Sequence, residues 1–186
     1  MLTTMTCRRA FLKSTLYFAA TLLCAKSALA KVWDGASQAE GKLSLLNVNT
    51  RERLSVTYRN EAGEYDPEAL NALNWALRCH KTNETTTMDL RVIEYLNRLD
   101  RALGGGNEIQ IISGYRSPSY NGKLRSVSKG VAKNSLHMKG KAIDLCIAGV
   151  GLDTIRRAAL SFSAGGVGYY PQSGFVHIDS GSVRSW

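Results

Sequence analysis

Ser113–Asp144, SGYRSPSYNGKLRSVSKGVAKNSLHMKGKAID, and Phe175–Asp179, FVHID, are the stretches on which this 186-residue sequence turns. The first gathers Arg116, His137 and Asp144 among glycine-punctuated loops, and the second adds His177 and Asp179. Lys141–Ile147, KAIDLCI, alternates: Ala142, Asp144 and Cys146 share one face of a strand, and Ile143, Leu145 and Ile147 the other. FVHID alternates too, with His177 and Asp179 on one face and Val176 and Ile178 on the opposite one. The aliphatic faces belong in a core, which aims the His and Asp side chains at whatever lies across the sheet. Imidazole nitrogen and carboxylate oxygen are zinc donors, and catalytic zinc keeps three protein ligands with a fourth position open. His137, Asp144 and His177 fit that donor set; taken singly, they also read as a loop histidine, a solvent-facing aspartate and a strand histidine.

Outward from these stretches, Lys42–Asn60 reads as a β-hairpin around a polar Asn-Thr-Arg-Glu turn. Asp66-Pro67-Glu68 supplies a cap, a first-turn proline and an early acid for a helix with Leu70, Leu73 and Leu77 on one face, ending near Cys79. His80 falls in a polar connection and reads as a solvated loop residue. Met88–Leu103 has helical period and is closed by Gly104-Gly105-Gly106. Glu108–Ile112 is a short apolar strand, Ser119–Val127 one or two helical turns, and Gly151–Ser161 a helix with Ile155, Ala158 and Ala159 inward. AGGVGYYPQSG then leads into FVHID. The AGGVG run is not a phosphate loop, because no Lys-Ser/Thr pair or helix follows it.

The first thirty residues read as a twin-arginine export signal: Arg8-Arg9-Ala10-Phe11-Leu12-Lys13, an apolar run, then Ala28-Leu29-Ala30 as the cleavage site. The apolar run is shorter than the ~20 residues that span a bilayer, so no stable membrane insertion is expected after cleavage. Residues 31–186 form one domain. Loss of residues 1–30 removes four basic residues and no acid, leaving 20 basic against 15 acidic residues, so the charge falls from +9 to +5. Cys79 and Cys146 remain, to be bridged or to stand as separate buried thiols.

Ser135-Leu136-His137-Met138-Lys139-Gly140-Lys141-Ala142-Ile143-Asp144 resembles the Ser-x-His-x-x-Gly-x-Ala-x-Asp motif of the zinc D-Ala-D-Ala peptidases and hedgehog-like folds. Ser113-Gly114-Tyr115-Arg116-Ser117 resembles the Gly-Tyr-Arg segment of those enzymes, and FVHID their second-histidine strand. The resemblance implies an α+β fold with an antiparallel central sheet and flanking helices. It also implies Zn2+ on His137, Asp144 and His177, and Arg116 against a substrate carboxylate or developing oxyanion. With the export signal it implies a periplasmic zinc peptidase that hydrolyses peptide cross-links of peptidoglycan, diaminopimelate–diaminopimelate links among them. The partners expected are peptidoglycan stem peptides and the twin-arginine export machinery. A carboxypeptidase trimming terminal D-Ala and a non-catalytic zinc-containing wall-binding module are the alternative readings.

One position departs from the pattern. Many of these peptidases carry a catalytic Glu three residues before the second His, where this chain has Gly174. Asp179, two residues beyond His177 and on the same strand face, is the candidate base; its other reading is a carboxylate that orients the histidine. Ser135 is a candidate substrate contact or a loop hydroxyl satisfying backbone groups, and Tyr169 and Tyr170 line the cleft or pack. Between Glu108 and Asp144 there are seven basic residues and no acid. The export signal directs that charge to carboxylate-rich stem peptides rather than to nucleic acid.

Overall fold

Three polar side chains start the helices. In the computed structural model of the chain, which describes residues 39–128 and 130–186, the Asp66 carboxylate accepts the N–H groups of Glu68 and Ala69 and opens α1 (Pro67–Ala76). Asp89 accepts the N–H of Arg91 at the start of α2 (Leu90–Ala102), and the Ser117 hydroxyl accepts that of Tyr120 at the start of α3 (Pro118–Val127). Each cap satisfies donors that a first helical turn leaves without an intrahelical partner. The fourth helix, α4 (Leu152–Ser161), has no side-chain cap. α1 stops three residues short of Cys79, and α3 is a full helix of 10 residues rather than a turn or two. The twin-arginine segment lies outside the described residues.

Seven strands form one sheet in the order β2-β1-β3-β4-β6-β5-β7. They are β1 (Gly41–Asn47), β2 (Arg53–Arg59), β3 (Glu108–Ser113), β4 (Ala142–Ile147), β5 (Gly166–Tyr170), β6 (Phe175–Asp179) and β7 (Arg184–Ser185). The expected hairpin is β1–β2, and the β3–β4, β4–β6 and β6–β5 pairs are antiparallel as well. β1 pairs with β3 in parallel, however, and so does β5 with β7. The α+β class holds, but the sheet is mixed, which corrects the expectation of an antiparallel one. Between β1 and β3 the chain passes through β2, α1 and α2, enough to cross over and re-enter in the same direction; a tight hairpin cannot do this. β5 was hidden because GVGYY carries glycines that weaken a strand pattern, and β7 because it has only 2 residues.

One face of the sheet is buried against helices. Val92, Ile93, Leu96 and Leu99 of α2 and Ile155 and Ala159 of α4 close over Ile109, Ile111, Ile143, Leu145, Val176 and Ile178. Burial of each large aliphatic side chain contributes about 1.5–3 kcal/mol, and truncating the fully buried Leu145 to Ala would cost about 2–5 kcal/mol. With the odd-numbered residues of β4 fixed in this core, Asp144 must face the other side; His177 and Asp179 follow from β6 for the same reason. Asp89 ties the two sides together. Its N–H donates to the Gly140 carbonyl at 2.8 Å, and its Oδ2 accepts the Ser180 hydroxyl at 3.0 Å.

Candidate active site

The register of β4 on β6 sets Asp144 directly across from His177. Asp144 Oδ1 accordingly stands 2.8 Å from His177 Nδ1. His137 arrives on a 3-10 turn, Leu136–Lys139, whose closing residue Gly140 has φ 63°. A Cβ at Gly140 would stand 2.7 Å from the Thr87 carbonyl oxygen, so the turn that aims His137 admits no side chain there. The Arg116 N–H donates to the His137 carbonyl at 3.2 Å and joins the Gly-Tyr-Arg segment to this turn. His137 Nε2 then lies 3.3 Å from Asp144 Oδ1 and 3.2 Å from His177 Nδ1. His137, Asp144 and His177 are all buried, and one ligand atom from each falls within 4.8 Å of the others.

The outer nitrogens decide what the inner ones offer. His137 Nδ1 is 2.8 Å from the Gly114 carbonyl oxygen, which only accepts, so the proton sits on Nδ1. His177 Nε2 is 3.0 Å from Asp179 Oδ2, which places the other proton on Nε2. With those outer nitrogens engaged, His137 Nε2 and His177 Nδ1 are left on the inner side, facing each other and Asp144. Two imidazoles with one carboxylate, each histidine backed by an oxygen acceptor, are a donor set that suits a divalent metal. Burial pushes the Asp144 carboxyl up, but the two imidazoles beside it pull it further down, well below the usual carboxylate range. Burial pushes His177 down, and its hydrogen bonds to Asp144 and Asp179 more than reverse this.

Asp179 does not reach the inner side of the site. It is bonded to the ring nitrogen of His177 that points away from Asp144, its relative exposure is 0%, and donors surround it. Oδ1 accepts the N–H groups of Gly166 (3.1 Å) and Gly181 (2.8 Å), and Arg184 Nη2 donates to Oδ2 at 2.6 Å. Burial raises its carboxyl and these donors, His177 first, bring it far below the usual range. Strand alternation put both on one face, but in this geometry the His177 ring separates Asp179 from the cleft, the placement that suits its other reading, a carboxylate that orients His177.

An open cleft of about 460 Å³ lies over the three side chains, lined in part by Arg116, Asn134, Ser135, Tyr170, Phe175 and Trp186. Asp144 is the only acid among the described residues lining it. Arg116 Nη2 is 3.6 Å from Asp144 Oδ2, its remaining contacts with Asn121 and Ser113 are long at 3.5 and 3.4 Å, and its buried Nε has no partner. The guanidinium is thus held at the cleft wall with donors to spare. Ser135 lines the cleft and caps no backbone group with its side chain. Tyr169 does not line it: it packs against the core with the Arg156 guanidinium over its ring, and its neighbour Tyr170 takes the cleft position. The β5–β6 register, Gly168 opposite His177, puts Tyr170 on the site face and Tyr169 on the core face. Period-two alternation would have found this had GVGYY been read as a strand. Arg184 was missed because its strand of 2 residues is too short to leave a pattern, and Trp186 because it lies just beyond that strand. His80 packs edge-on against Tyr120, outside the cleft.

A buried His–Asp–His donor set on a mixed sheet, under an open cleft with a guanidinium at its wall, is the kind of site a metal-dependent hydrolase uses. The family model described as Peptidoglycan L,D-endopeptidase MepK matches residues 35–186. The chain belongs to that family and is a peptidase. It is 46% identical over 144 residues to Peptidoglycan L,D-endopeptidase MepK of Escherichia coli K12, covering 77% of this chain and 79% of that protein. It is also 46% identical over 145 residues to the Probable peptidoglycan L,D-endopeptidase MepK of Haemophilus influenzae, covering 77% of each. Among the described residues no helix is long and apolar enough to cross a membrane.

Proposed function

We propose that this murein endopeptidase is zinc-dependent, acts in the periplasm after twin-arginine export, and hydrolyses L,D peptide cross-links between diaminopimelate residues of peptidoglycan stem peptides. The observation that carries the metal reading is the convergence of two inward ring nitrogens, His137 Nε2 and His177 Nδ1 at 3.2 Å, beside the Asp144 carboxylate. His137, Asp144 and His177 would hold the ion. When bound, zinc polarises a carbonyl and lowers the pKa of a water toward ~7.

The chain's own residues account for binding and orientation. The Gly114 carbonyl and the Asp179 carboxylate hold each imidazole in one tautomer and one direction. Arg116, a permanently charged planar fork with an unpartnered Nε, pairs with a substrate carboxylate or with negative charge developing on the scissile carbonyl. Diaminopimelate stem peptides carry such carboxylates, and the Ser135 hydroxyl beside the cleft is free to meet their amide groups. The L,D specificity rests on the activity for which the relatives are named.

Purified sacculi incubated with the zinc-loaded mature protein test the reading by mass spectrometry of the released material. New stem-peptide products from cleaved diaminopimelate links are expected. Loss of terminal D-Ala alone would favour a carboxypeptidase, and unchanged sacculi that co-sediment with the protein would favour a wall-binding module. Replacing Arg8 and Arg9 together by lysine tests the export route, with precursor expected to stay in the cytoplasm; normal periplasmic accumulation would count against it.

A further inference from the structure

Strand β7 contributes nothing to the core, yet it meets the site at two points. Arg184 grips Asp179 with both ends of its fork: Nη2 donates to Oδ2 at 2.6 Å and Nη1 to Oδ1 at 3.1 Å. The same carboxylate accepts the His177 Nε2–H at 3.0 Å. Two residues further on, the Trp186 ring stands 5.3 Å from the His177 ring, and its indole N–H donates to the Tyr170 hydroxyl at 2.7 Å. Tyr170 in turn stacks on Phe175 at 4.6 Å, so Trp186, Tyr170 and Phe175 form one continuous aromatic wall of the cleft. Strand β5 leaves the space for both contacts. A Cβ at Gly166 would collide with the Asp179 carboxylate and the Arg184 guanidinium, and one at Gly168 would stand 2.8 Å from the Trp186 indole.

We propose that β7 is a working part of the active site: Arg184 is a positioning residue that fixes His177 through Asp179, and Trp186 is the wall against which the aliphatic chain of a diaminopimelate residue is held. The proposal rests on the zinc endopeptidase reading above. Two carboxylates flank the His177 imidazole, Asp144 at Nδ1 and Asp179 at Nε2. A buried carboxylate needs matched charge and donors around it, and leaving it unpaired is strongly destabilising. Arg184 supplies both, and its planar fork fixes the directions of the two Asp179 oxygens where a lysine would offer a single point charge. The Nε2 side of His177 is thereby held in one line, and its Nδ1 is held toward His137 and Asp144. On the cleft side Trp186 is 47% exposed. An apolar ring there and the Arg116 cation at the same cleft suit a ligand with a methylene chain ending in charged groups.

The test uses the mature chain with Arg184→Met, Arg184→Lys and Trp186→Ala, each checked for fold by thermal unfolding. Zinc affinity is read by competition with a chromophoric chelator, the ligand field by the absorption spectrum of the cobalt-loaded protein, and kcat and KM on a purified diaminopimelate-linked stem-peptide dimer. Arg184→Met is expected to weaken zinc binding by about 10- to 100-fold and to alter the cobalt spectrum, with added guanidinium recovering part of both. Arg184→Lys is expected to fall between it and the wild type. A folded Arg184→Met protein with wild-type zinc affinity and spectrum overturns the positioning role. If Arg184→Met does not fold, the same result for Arg184→Lys overturns it. Trp186→Ala is expected to keep near-wild-type zinc affinity and raise KM by about 3- to 10-fold; an unchanged KM overturns the wall. A wild-type chain that takes up no zinc overturns the metal reading itself, and this inference with it.

Discussion

His137 Nε2 and His177 Nδ1 face each other at 3.2 Å because a backbone carbonyl behind one ring and a carboxylate behind the other take up the outer N–H groups. Beside Asp144, the pair forms a group that could hold a metal ion. Asp144, its carboxyl held well below the usual carboxylate range between the two rings, adds a negative charge that would suit a divalent ion.

One zinc per mature chain is therefore expected by elemental analysis after dialysis. Alanine at His137, Asp144 or His177 should each abolish both metal and activity, because three ligands leave none in reserve. Full zinc occupancy in His177→Ala would remove the basis of the assignment.

Asp179→Asn separates orientation from proton transfer. As an orienting group, Asp179 should chiefly govern metal affinity, so the substitution is expected to weaken zinc binding by about 10- to 100-fold, with excess zinc restoring turnover. A loss of ~100-fold or more in kcat that persists at saturating zinc would return Asp179 to the role of base.

Asp89 predicts a pH effect on stability away from the metal site. The Arg91 guanidinium, against the opposing effect of burial and helped by the Arg91 N–H and the Ser180 hydroxyl, brings its carboxyl from 3.8 to about 2. A depressed folded-state pKa means stability that is present above the unfolded value and lost as pH falls from near 4 through about 2. Asparagine still caps a helix, so Asp89→Asn isolates the charge. It should lower stability by about 1 kcal/mol near neutral pH, with urea unfolding curves of the two proteins converging as pH falls toward 2; a constant difference across that range would exclude the linkage.

Cys79 is buried beside the Ser117 hydroxyl, at 3.6 Å, and the Cys146 thiol donates to Gln110 Oε1 at 3.2 Å. Both are free. The mature protein should have the same mass with and without reductant, and Cys146→Ser should keep stoichiometric zinc. A disulfide-bridged mass would contradict the first expectation, and lost zinc the second.

How much of this was legible in the sequence follows from where the physics is local. Alternation in KAIDLCI and FVHID put Asp144 and His177 on faces opposite their aliphatic neighbours, because a strand reverses side-chain direction at every residue. The cap at Asp66 is likewise local, since a carboxylate next to a helix's first turn finds its N–H partners within three residues. What lay outside the sequence was register and crossover. Only the pairing of β4 with β6 puts Asp144 across from His177, and only the parallel return of β3 to β1 makes the sheet mixed.

The same division settles the individual side chains. The sequence offered His137, Asp144 and His177 as candidate donors by residue type, while the full ligand set, the role of Arg116 and the α+β class came from its resemblance to a known family. Tertiary structure alone decided that Asp179 stands behind His177 rather than in the cleft, that Tyr170 and not Tyr169 lines the wall, and that Arg184 and Trp186 close the site. Those outcomes depend on which strand lies beside which: β5 pairs with β6 on one side and β7 on the other, and its glycines at 166 and 168 leave room for distant residues to meet.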